Sequence, residues 1–335
     1  MDIDFIITWV DGSDPKWLKE KEQYSPSKGS DTNKARYRYW DNLQYWFRGI
    51  EKFAPWVHKI FFVTYGHYPS WLNIGNPKLK IVNHKDYIPN EWLPTFSSRT
   101  IDMNFHRIPE LSEHFVYFND DMFLTAPVSP EDFFKKGLPC DTAILNTLYV
   151  GINPNKAEFM APIFDTIPIN RHFKKSDVIK KNIGKWFSPH YGIQSFRTLL
   201  LTPWRYFTGF MNYHLPYSYL KSTYKDVWDV EGDLLAETCS HKFRQSVDLN
   251  HWVFNYWQIV TGNFSPRSPK LGKQINILGS LAPGSNEAAL KAIKDNSIRI
   301  VCLNDGLPEE EFEDVKNRVN MALDKLLPNK SSFEL

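Results

Sequence analysis

The sequence predicts an α/β protein with a largely parallel sheet, flanked by helices and interrupted by a mainly helical insertion. In the first 125 residues, short apolar segments typical of buried strands alternate with segments of helical periodicity. From about residue 125 to 250, frequent prolines and aromatic residues break up this pattern. We therefore expect a core formed by residues 1–125 and 295–335, and an insertion formed by residues 126–294.

Four buried strands are expected in the N-terminal part, each a short run rich in β-branched and aromatic residues: Asp4–Val10, Lys59–Thr64, Leu79–Val82 and Phe115–Phe118. Asp41–Phe53 carries large apolar side chains at the spacing of an amphipathic helix, which Pro55 ends. Thr100–Ile108 is the next expected helix. Because strands and helices alternate, the sheet should be largely parallel.

The C-terminal half contains fewer clear elements. Helices are expected at Ser195–Phe210 and Asp248–Thr261, and a short strand at Ile298–Leu303. The last helix is expected at Pro308–Leu327. Three glutamates lie near its start, where the positive end of the helix dipole favours acidic side chains.

Composition excludes several classes of protein. The chain has 335 residues with 40 Lys and Arg against 38 Asp and Glu, so its formal net charge of +2 argues against a nucleic-acid binder. Hydrophobic and charged fractions of 42% and 23% argue against disorder. The high aromatic content of 16%, with 12 Trp, fits either a sugar or base site or a large core.

Motifs and cysteines narrow the choice further. Three cysteines without a CxxC pair indicate neither a disulfide scaffold nor a cysteine zinc site, and favour a reducing compartment. Neither a secretory signal nor an 18-residue apolar window is visible, so we expect a cytoplasmic protein. GxGxxG, GxxxxGK[ST], HExxH and GxSxG motifs are absent, which argues against dinucleotide dehydrogenases, P-loop NTPases, zincins and standard serine hydrolases.

Acid-rich turns follow three of the predicted strands: Asp11-Gly12-Ser13-Asp14, Asn119-Asp120-Asp121 and Asn304-Asp305-Gly306. Ligands of such sheets bind at the carboxyl ends of the strands, so converging acids indicate a site for a cation and a phosphate. Adjacent carboxylates repel each other unless a cation or donor compensates, so Asp120-Asp121 indicates metal chemistry or a general base. A solvated turn is the alternative, and for Asp11 and Asp14 alone it is favoured.

Five cationic or titratable residues lie in segments otherwise rich in apolar residues: Arg99, His106, Arg107, His190 and Arg244. Arginine is the natural bidentate clamp for phosphate. The alternatives are structural ion pairs for the arginines and an ordinary loop position for His190. Taken one by one, the residues favour these alternatives.

Together, these segments resemble the Stealth family of capsular polysaccharide phosphotransferases, which includes the catalytic subunits of the lysosomal N-acetylglucosamine-1-phosphate transferase. The first family region resembles Ile3–Pro15, IDFIITWVDGSDP. The second runs from Arg36 through HKD, LPTFSS and HRI to YFNDDMF, which ends at Phe123. The third is similar to Ser188-Pro189-His190 with Arg244–Asp248, and the fourth to Cys302–Asp305.

The resemblance implies a Rossmann-like, GT-A-like fold and an unusual transfer. A hexose- or N-acetylhexosamine-1-phosphate moves from a UDP-sugar to a glycan hydroxyl, forming a phosphodiester and releasing UMP, in capsular or surface polysaccharide synthesis. The acceptor is an oligosaccharide or a lipid-linked glycan. A lipid-linked acceptor would bring the chain to the inner face of the cell membrane.

The resemblance also implies roles for the site residues. The catalytic set is Asp120, Asp121, His190 and Arg244, with Asp121 or His190 as the base. Asp120 and Asp305 are the expected ligands of Mg²⁺ or Mn²⁺, with Asp121 as a further acid at the metal. Arg99, Arg107 and Arg244 would brace the phosphoryl oxygens. The expected substrate-binding residues are Trp9, Asp11, Gly12, Asp14, Arg38, Arg99, His106, Arg107, Asn119, Asp248 and Asn304.

Two other functions remain open at this point. An ordinary GT-A glycosyltransferase would share the fold and the acidic strand end but would release UDP, because attack occurs at the anomeric carbon. A glycan-binding protein without catalysis would explain the aromatic residues. Acidic clusters in three places argue against the latter, because a sugar binder does not need them.

Overall fold

The computed structural model describes residues 1–25, 38–149, 161–295 and 297–335. Its strands are β1 (Ile3–Trp9), β2 (Ile60–Thr64), β3 (Leu79–Asn83), β4 (His114–Phe118), β5 (Met122–Leu124), β6 (Phe134–Lys135), β7 (Leu138–Asp141), β8 (Tyr217–Leu220), β9 (Ser265–Pro266), β10 (Gly272–Ile277) and β11 (Ile300–Asp305). Its helices are α1 (Pro15–Tyr24), α2 (Leu43–Phe53), α3 (Ser98–Met103), α4 (Pro130–Phe133), α5 (Ala161–Phe164), α6 (Thr166–His172), α7 (Lys175–Lys181), α8 (Ile183–Trp186), α9 (Ser195–Leu201), α10 (Lys221–Ser240), α11 (Trp252–Thr261), α12 (Ser285–Lys294) and α13 (Phe312–Leu326).

The central sheet has the strand order β3-β2-β1-β4-β8. The first four strands run parallel, and β8 is antiparallel to β4 at the edge. The order 3-2-1-4 is that of a Rossmann-like half, in which the order of the strands reverses between β1 and β4. The predicted α/β class and the four predicted N-terminal strands are confirmed.

A second, smaller sheet has the order β10-β11-β5. Strand β5 follows β4 after a three-residue turn and pairs antiparallel with β11. The amide of Leu303 donates to the carbonyl of Asp121 at 2.9 Å, so the two acidic strand ends are held side by side. The expected strand at Ile298–Leu303 lies at Ile300–Asp305. A third sheet joins β6, β7 and β9.

The two sides of the central sheet form separate apolar layers. Phe5 and Phe62 belong to the layer that packs under α2, whereas Ile6 and Phe61 belong to the layer under α3, α10 and α11. This alternation follows from the two-residue period of a strand. Both faces of the parallel strands are therefore covered, as such sheets require.

Strands from residues 126–294, the expected insertion, pair with strands of the expected core. Strand β8 completes the central sheet, and β10 pairs in parallel with β11. Helix α12 also packs on α13. The helical part is residues 161–261, which nevertheless contains β8.

The expected helices are shorter than predicted, and several other helices were missed. The helix expected at Ser195–Phe210 ends at Leu201, because Pro203 follows and Gly209 has a φ of 137°. The helices expected at Thr100–Ile108 and Asp248–Thr261 are α3 and α11. Helix α1, which begins at Pro15, and the 20-residue α10 were not predicted.

Phe118 is the last residue of β4 and packs into the core directly before the acidic turn. Its buried ring lies 4.8 Å from the ring of Phe5 and 5.6 Å from that of Trp46. We expect Phe118→Ala to lower the free energy of unfolding by about 3–5 kcal/mol, because it leaves a cavity between sheet and helix. Urea denaturation measures this loss.

The matched control is Leu18→Ala, which truncates an exposed apolar side chain on α1. It should cost less than about 1 kcal/mol. A loss for Phe118→Ala as small as that of the control would contradict the packing described here.

Candidate active site

A cleft of about 1060 Å³ opens at the carboxyl ends of the parallel strands. This is where an open α/β sheet binds its ligands. Nine of the residues expected from the sequence line it: Trp9, Arg38, Arg99, Asn119, Asp120, Asp121, Arg244, Asn304 and Asp305. The cleft thus brings together the ends of β1, β4 and β11.

Asp121 is held through one of its two carboxylate oxygens. Its Oδ2 accepts the thiol of Cys302 at 3.2 Å and lies 3.6 Å from Nε2 of His214. The amide of Asn119 also lies 3.3 Å from this imidazole nitrogen. Oδ1 of Asp121 is buried and has no hydrogen-bond partner within the described part of the chain. One oxygen is therefore fixed by the protein, and the other is left for a ligand.

The electrostatics of Asp120 and Asp121 differ although the residues are adjacent. Burial would raise the pKa of Asp121, but the charge of His214 and the hydrogen bonds from His214 and Cys302 outweigh it, so this pKa is lowered. Asp120 opens onto the cleft and has no such compensation. The surrounding protein, and then the charge of Asp121, raise its pKa to about 7. Asp121 is thus the permanent carboxylate of the pair.

Asp305 forms an ion pair with the N-terminal part of the chain. Its Oδ2 lies 3.3 Å from Nε of Arg38 and accepts the indole N–H of Trp40 at 3.2 Å, while Oδ1 accepts the amide of Leu307 at 2.9 Å. Arg38 also donates to the carbonyl of Leu307 at 2.7 Å. Both oxygens of Asp305 are engaged, which argues against its expected role as a metal ligand.

Arg244 and Arg99 have different roles in the same wall. Arg244 lines the cleft, and its guanidinium donates to the hydroxyl of Ser98 at 2.5 Å. Arg99 is buried and donates to the carbonyl of Gln245 at 2.6 Å, beside Arg244. Arg99 thereby holds the turn that carries Arg244.

Asp248 lies outside the lining of the cleft and closes that same turn. Its carboxylate contacts Nδ1 of His241 at 2.6 Å, accepts the amide of Gln245 at 2.7 Å and lies 3.5 Å from the guanidinium of Arg99. These contacts, including the ion pair with Arg99, fix the turn that carries Arg244.

The turn after β1 contributes less than expected. Trp9 lines the cleft, but Asp11 and Asp14 do not. Asp11 accepts the amide and hydroxyl of Ser13 at 2.9 and 2.6 Å. Asp14 caps α1 by accepting the amide of Trp17 at 2.7 Å. These contacts, with Gly12 between them, form the plain turn that was the alternative.

His106, Arg107 and His190 lie away from the cleft lining. The rings of His106 and Trp228 are 5.8 Å apart, and the guanidinium of Arg107 lies 5.0 Å from the Trp228 ring. Burial, and then the charge of Arg107, lower the pKa of His106 to about 3, so it is neutral. His190 is exposed in a short 3₁₀ segment at Pro189–Gln194. The expectation that these residues share one site with Asp121 is not met.

Other residues of the cleft were not expected from the sequence: Trp40, Asp102, His214, Asn250, His251 and Gln274. Asp102 accepts the hydroxyl of Tyr117 at 2.9 Å, and burial raises its pKa to about 7. His214 stands in the irregular segment before β8, where no periodicity or motif marks it. Only its contact with Asp121 reveals it.

Comparison with known sequences identifies the family. Residues 1–29 match the model of Stealth protein CR1, conserved region 1, and residues 36–140 match that of Stealth protein CR2, conserved region 2. A capsular polysaccharide phosphotransferase WcwK of Streptococcus pneumoniae is 40% identical over 99% of this chain and 98% of that protein. The chain belongs to the Stealth family. The expectation of a phosphotransferase enzyme is thereby confirmed.

Other Stealth relatives match over similar lengths. The receptor polysaccharide phosphotransferase WefC of Streptococcus oralis is 41% identical, covering 99% of both chains. The exopolysaccharide phosphotransferase cps2G of Lactiplantibacillus plantarum is 38% identical, covering 99% of this chain and 96% of that protein. Among solved structures, mouse xyloside xylosyltransferase 1 reaches a TM-score of 0.35 at 9% identity, over 90% of this chain and 97% of that chain. Similarity this weak carries no argument.

The donor atoms of this Stealth site fit a hard divalent cation. Among the described residues, a group of potential ligands within 4.8 Å of one another is Asp121, His214 and Cys302. Burial, and then Asp121, raise the pKa of the Cys302 thiol well above its ordinary value, so it stays protonated and does not offer the thiolate that soft metals bind. The partnerless Oδ1 of Asp121 is instead a ligand of the kind that Mg²⁺ or Mn²⁺ prefers.

The Arg38–Asp305 contact predicts a measurable stability difference. The two side chains are only 10% and 11% exposed, so Arg38→Ala leaves a buried carboxylate without its cation. We expect a loss of about 3 kcal/mol in the free energy of unfolding. Thermal or urea denaturation at neutral pH measures it.

The matched control is Arg318→Ala. It removes an arginine paired with Glu287 at 3.2 Å, in which both side chains are largely exposed. That variant should lose less than about 1 kcal/mol. Equal losses in the two variants would show that Arg38 is not the buried partner of Asp305.

Proposed function

We propose that this Stealth protein transfers a hexose- or N-acetylhexosamine-1-phosphate from a UDP-sugar to a hydroxyl of a glycan acceptor, in the synthesis of a capsular or other surface polysaccharide. The observation that carries the proposal is the cleft at the strand ends, which Asp120, Asp121 and Arg244 line together. Acids for a cation and an arginine for phosphate are what a diphosphate substrate requires. The relatives' names support a phosphotransferase acting on polysaccharide.

The proposed reaction is an attack on the β-phosphorus of the donor. The acceptor oxygen forms a bond to this phosphorus as the bond to the bridging oxygen breaks, and UMP leaves with that oxygen. The acceptor hydroxyl loses its proton to a base. Such a transfer depends chiefly on in-line positioning and on neutralising charge on the phosphoryl oxygens.

Asp121, Asp120 and Arg244 supply these functions in the proposal. Asp121 would hold Mg²⁺ or Mn²⁺ through Oδ1, and that cation would supply charge neutralisation on the diphosphate. Asp120, which opens onto the cleft, is placed to accept the proton of the acceptor hydroxyl. Arg244 would contact the phosphoryl oxygens, supported by Arg99, which holds the turn that carries it.

His214 is the histidine that the geometry favours for this chemistry. Burial lowers its pKa, but the charge of Asp121 and its hydrogen bond raise it further, so the net pKa lies above the ordinary value. The imidazole lies 3.6 Å from Oδ2 of Asp121 and helps to orient this carboxylate. His190, which the sequence suggested as a base, is exposed outside the cleft lining.

Product analysis tests the proposed transfer. We expect the purified protein, given UDP-hexoses, short glycan acceptors and Mg²⁺ or Mn²⁺, to release UMP only when an acceptor is present. A new ³¹P phosphodiester signal should appear in step with UMP, and EDTA should suppress both. Chromatography of the nucleotides separates the outcomes.

Release of UDP would instead identify an ordinary glycosyltransferase with attack at the anomeric carbon. Full activity in EDTA would remove the cation from the mechanism. The control reaction omits the acceptor, because UMP release without it would indicate donor hydrolysis.

Substitution of the two histidines separates the sequence-based assignment from the structural one. We expect His214→Ala to lower kcat by about 100-fold or more, because Asp121 loses its orienting partner. His190→Ala should retain wild-type turnover within about twofold. Asp121→Asn should abolish turnover, whereas Asp314→Asn, on the surface of α13, should not change it.

Steady-state kinetics with the same donor and acceptor measure these effects, and circular dichroism checks the fold of each variant. Loss of turnover in His190→Ala with normal turnover in His214→Ala would restore the sequence-based assignment and overturn ours.

A further inference from the structure

Helix α9 and the segment after it present an apolar surface to solvent. Thr198 faces inward, since it is fully buried and its hydroxyl accepts the amide of Leu145 at 3.1 Å. At 100° per residue, Phe196 and Leu200 point to the opposite side of the helix. They are 59% and 58% exposed, and Leu199 beside them is 54% exposed. On a helix whose outer face contacts only water, these outward positions usually carry polar residues.

The exposed apolar residues continue on both sides of the helix. Ile193 precedes α9 and is 88% exposed, and Trp204 and Tyr206 follow it with more than half of their surfaces exposed. The amide of Trp204 donates to the carbonyl of Leu201 at 3.3 Å, which keeps this aromatic residue next to the helix end. We call Ile193, Phe196, Leu199, Leu200, Trp204 and Tyr206 the α9 surface. Apolar patches of this kind mark interaction sites.

Basic residues are frequent in the segment that contains the α9 surface. Residues 171–206 contain eight Lys and Arg against one acid, Asp177, although the whole chain is nearly neutral. Among the eight, the exposed ones are Arg171, Lys174, Lys180, Lys181, Arg197 and Arg205. The ammonium of Lys175 donates to the carbonyl of Leu201 at 2.7 Å, so the basic helix α7 lies against the carboxyl end of α9. The positive charge of the chain is thus concentrated beside its exposed apolar residues.

We propose that the α9 surface docks on an anionic phospholipid membrane. Apolar side chains that enter the acyl boundary, Trp and Tyr at the level of the headgroups, and flanking Lys and Arg are the features of an interfacial membrane contact. A second copy of the chain fits less well, because its basic flank would face the same charge. Within the described residues no helix is long and apolar enough to cross a bilayer, so the contact is peripheral.

The α9 surface lies beside the mouth of the cleft. Arg197 donates to Oδ1 of Asn146 at 2.5 Å, and Asn146 lines the cleft. A membrane seated on this surface would therefore lie next to the cleft rim. This placement suits an acceptor glycan attached to a lipid, a consequence that rests on the proposed function, whereas the docking itself does not.

Vesicle sedimentation tests the docking without donor or acceptor. We expect the wild-type protein to sediment with vesicles of phosphatidylcholine and phosphatidylglycerol, and to stay in solution with phosphatidylcholine alone. The double variant Leu199→Ser, Leu200→Ser should bind at least about tenfold more weakly, because it removes apolar area from the acyl boundary. The double variant Lys180→Gln, Lys181→Gln should bind about tenfold more weakly as well, through lost headgroup attraction.

The control is Leu281→Ser, which changes a leucine that is 72% exposed outside this surface and should leave binding unchanged. Failure of the wild type to bind anionic vesicles would overturn the proposal, as would equal loss in the control. A stable dimer in gel filtration that Leu199→Ser, Leu200→Ser dissociates would also overturn it, since a second copy would then be the occupant.

Activity on a soluble oligosaccharide acceptor separates this proposal from the proposed function. The variants of the α9 surface should keep wild-type transfer, because none of their residues lines the cleft. Normal vesicle binding without any transfer would leave the docking standing and reject the transferase. Normal transfer without vesicle binding would reject the docking and leave the transferase standing.

Discussion

The antiparallel pairing of β5 with β11 is the constraint on which the rest of the site depends. Parallel strands alone would leave Asn119–Asp121 as a turn at one sheet edge. Because β5 turns back and pairs with β11, Cys302 comes within reach of Asp121, and Asn304 and Asp305 end beside it. The pairing converts two acidic segments, distant in sequence, into one wall of a cleft.

This pairing brings several carboxylates close together, and neighbouring basic side chains compensate two of them. Asp121 is compensated by His214, and Asp305 by Arg38. Burial, and then the charge of Asp121, raise the pKa of Asp120 to about 7. The charge of Asp121 is compensated by His214, whereas Asp120 keeps a raised pKa. Such an adjacent pair of acids favours the binding of a cation.

The sequence predicts the strands of this fold better than its helices or its long-range contacts. Buried parallel strands such as Ile60–Thr64 are continuous apolar runs, which can be recognised in the sequence without knowledge of tertiary contacts. Helix α10 was missed because its buried residues are mixed with polar ones, including Glu231, where the helix geometry is interrupted. The antiparallel strand β8 carries Ser218 and two tyrosines, and nothing local distinguishes it from a loop.

The same distinction explains the site. Acids that follow a strand directly, such as Asp120, are predictable because strand direction places them at the carboxyl edge. His214 is not, because only the fold brings it to Asp121. His106 and Arg107 show the opposite case: they match a family motif, yet they lie outside the cleft lining and contact the ring of Trp228. A motif match alone therefore does not place a residue in the cleft, because only the tertiary fold decides which side chains line it.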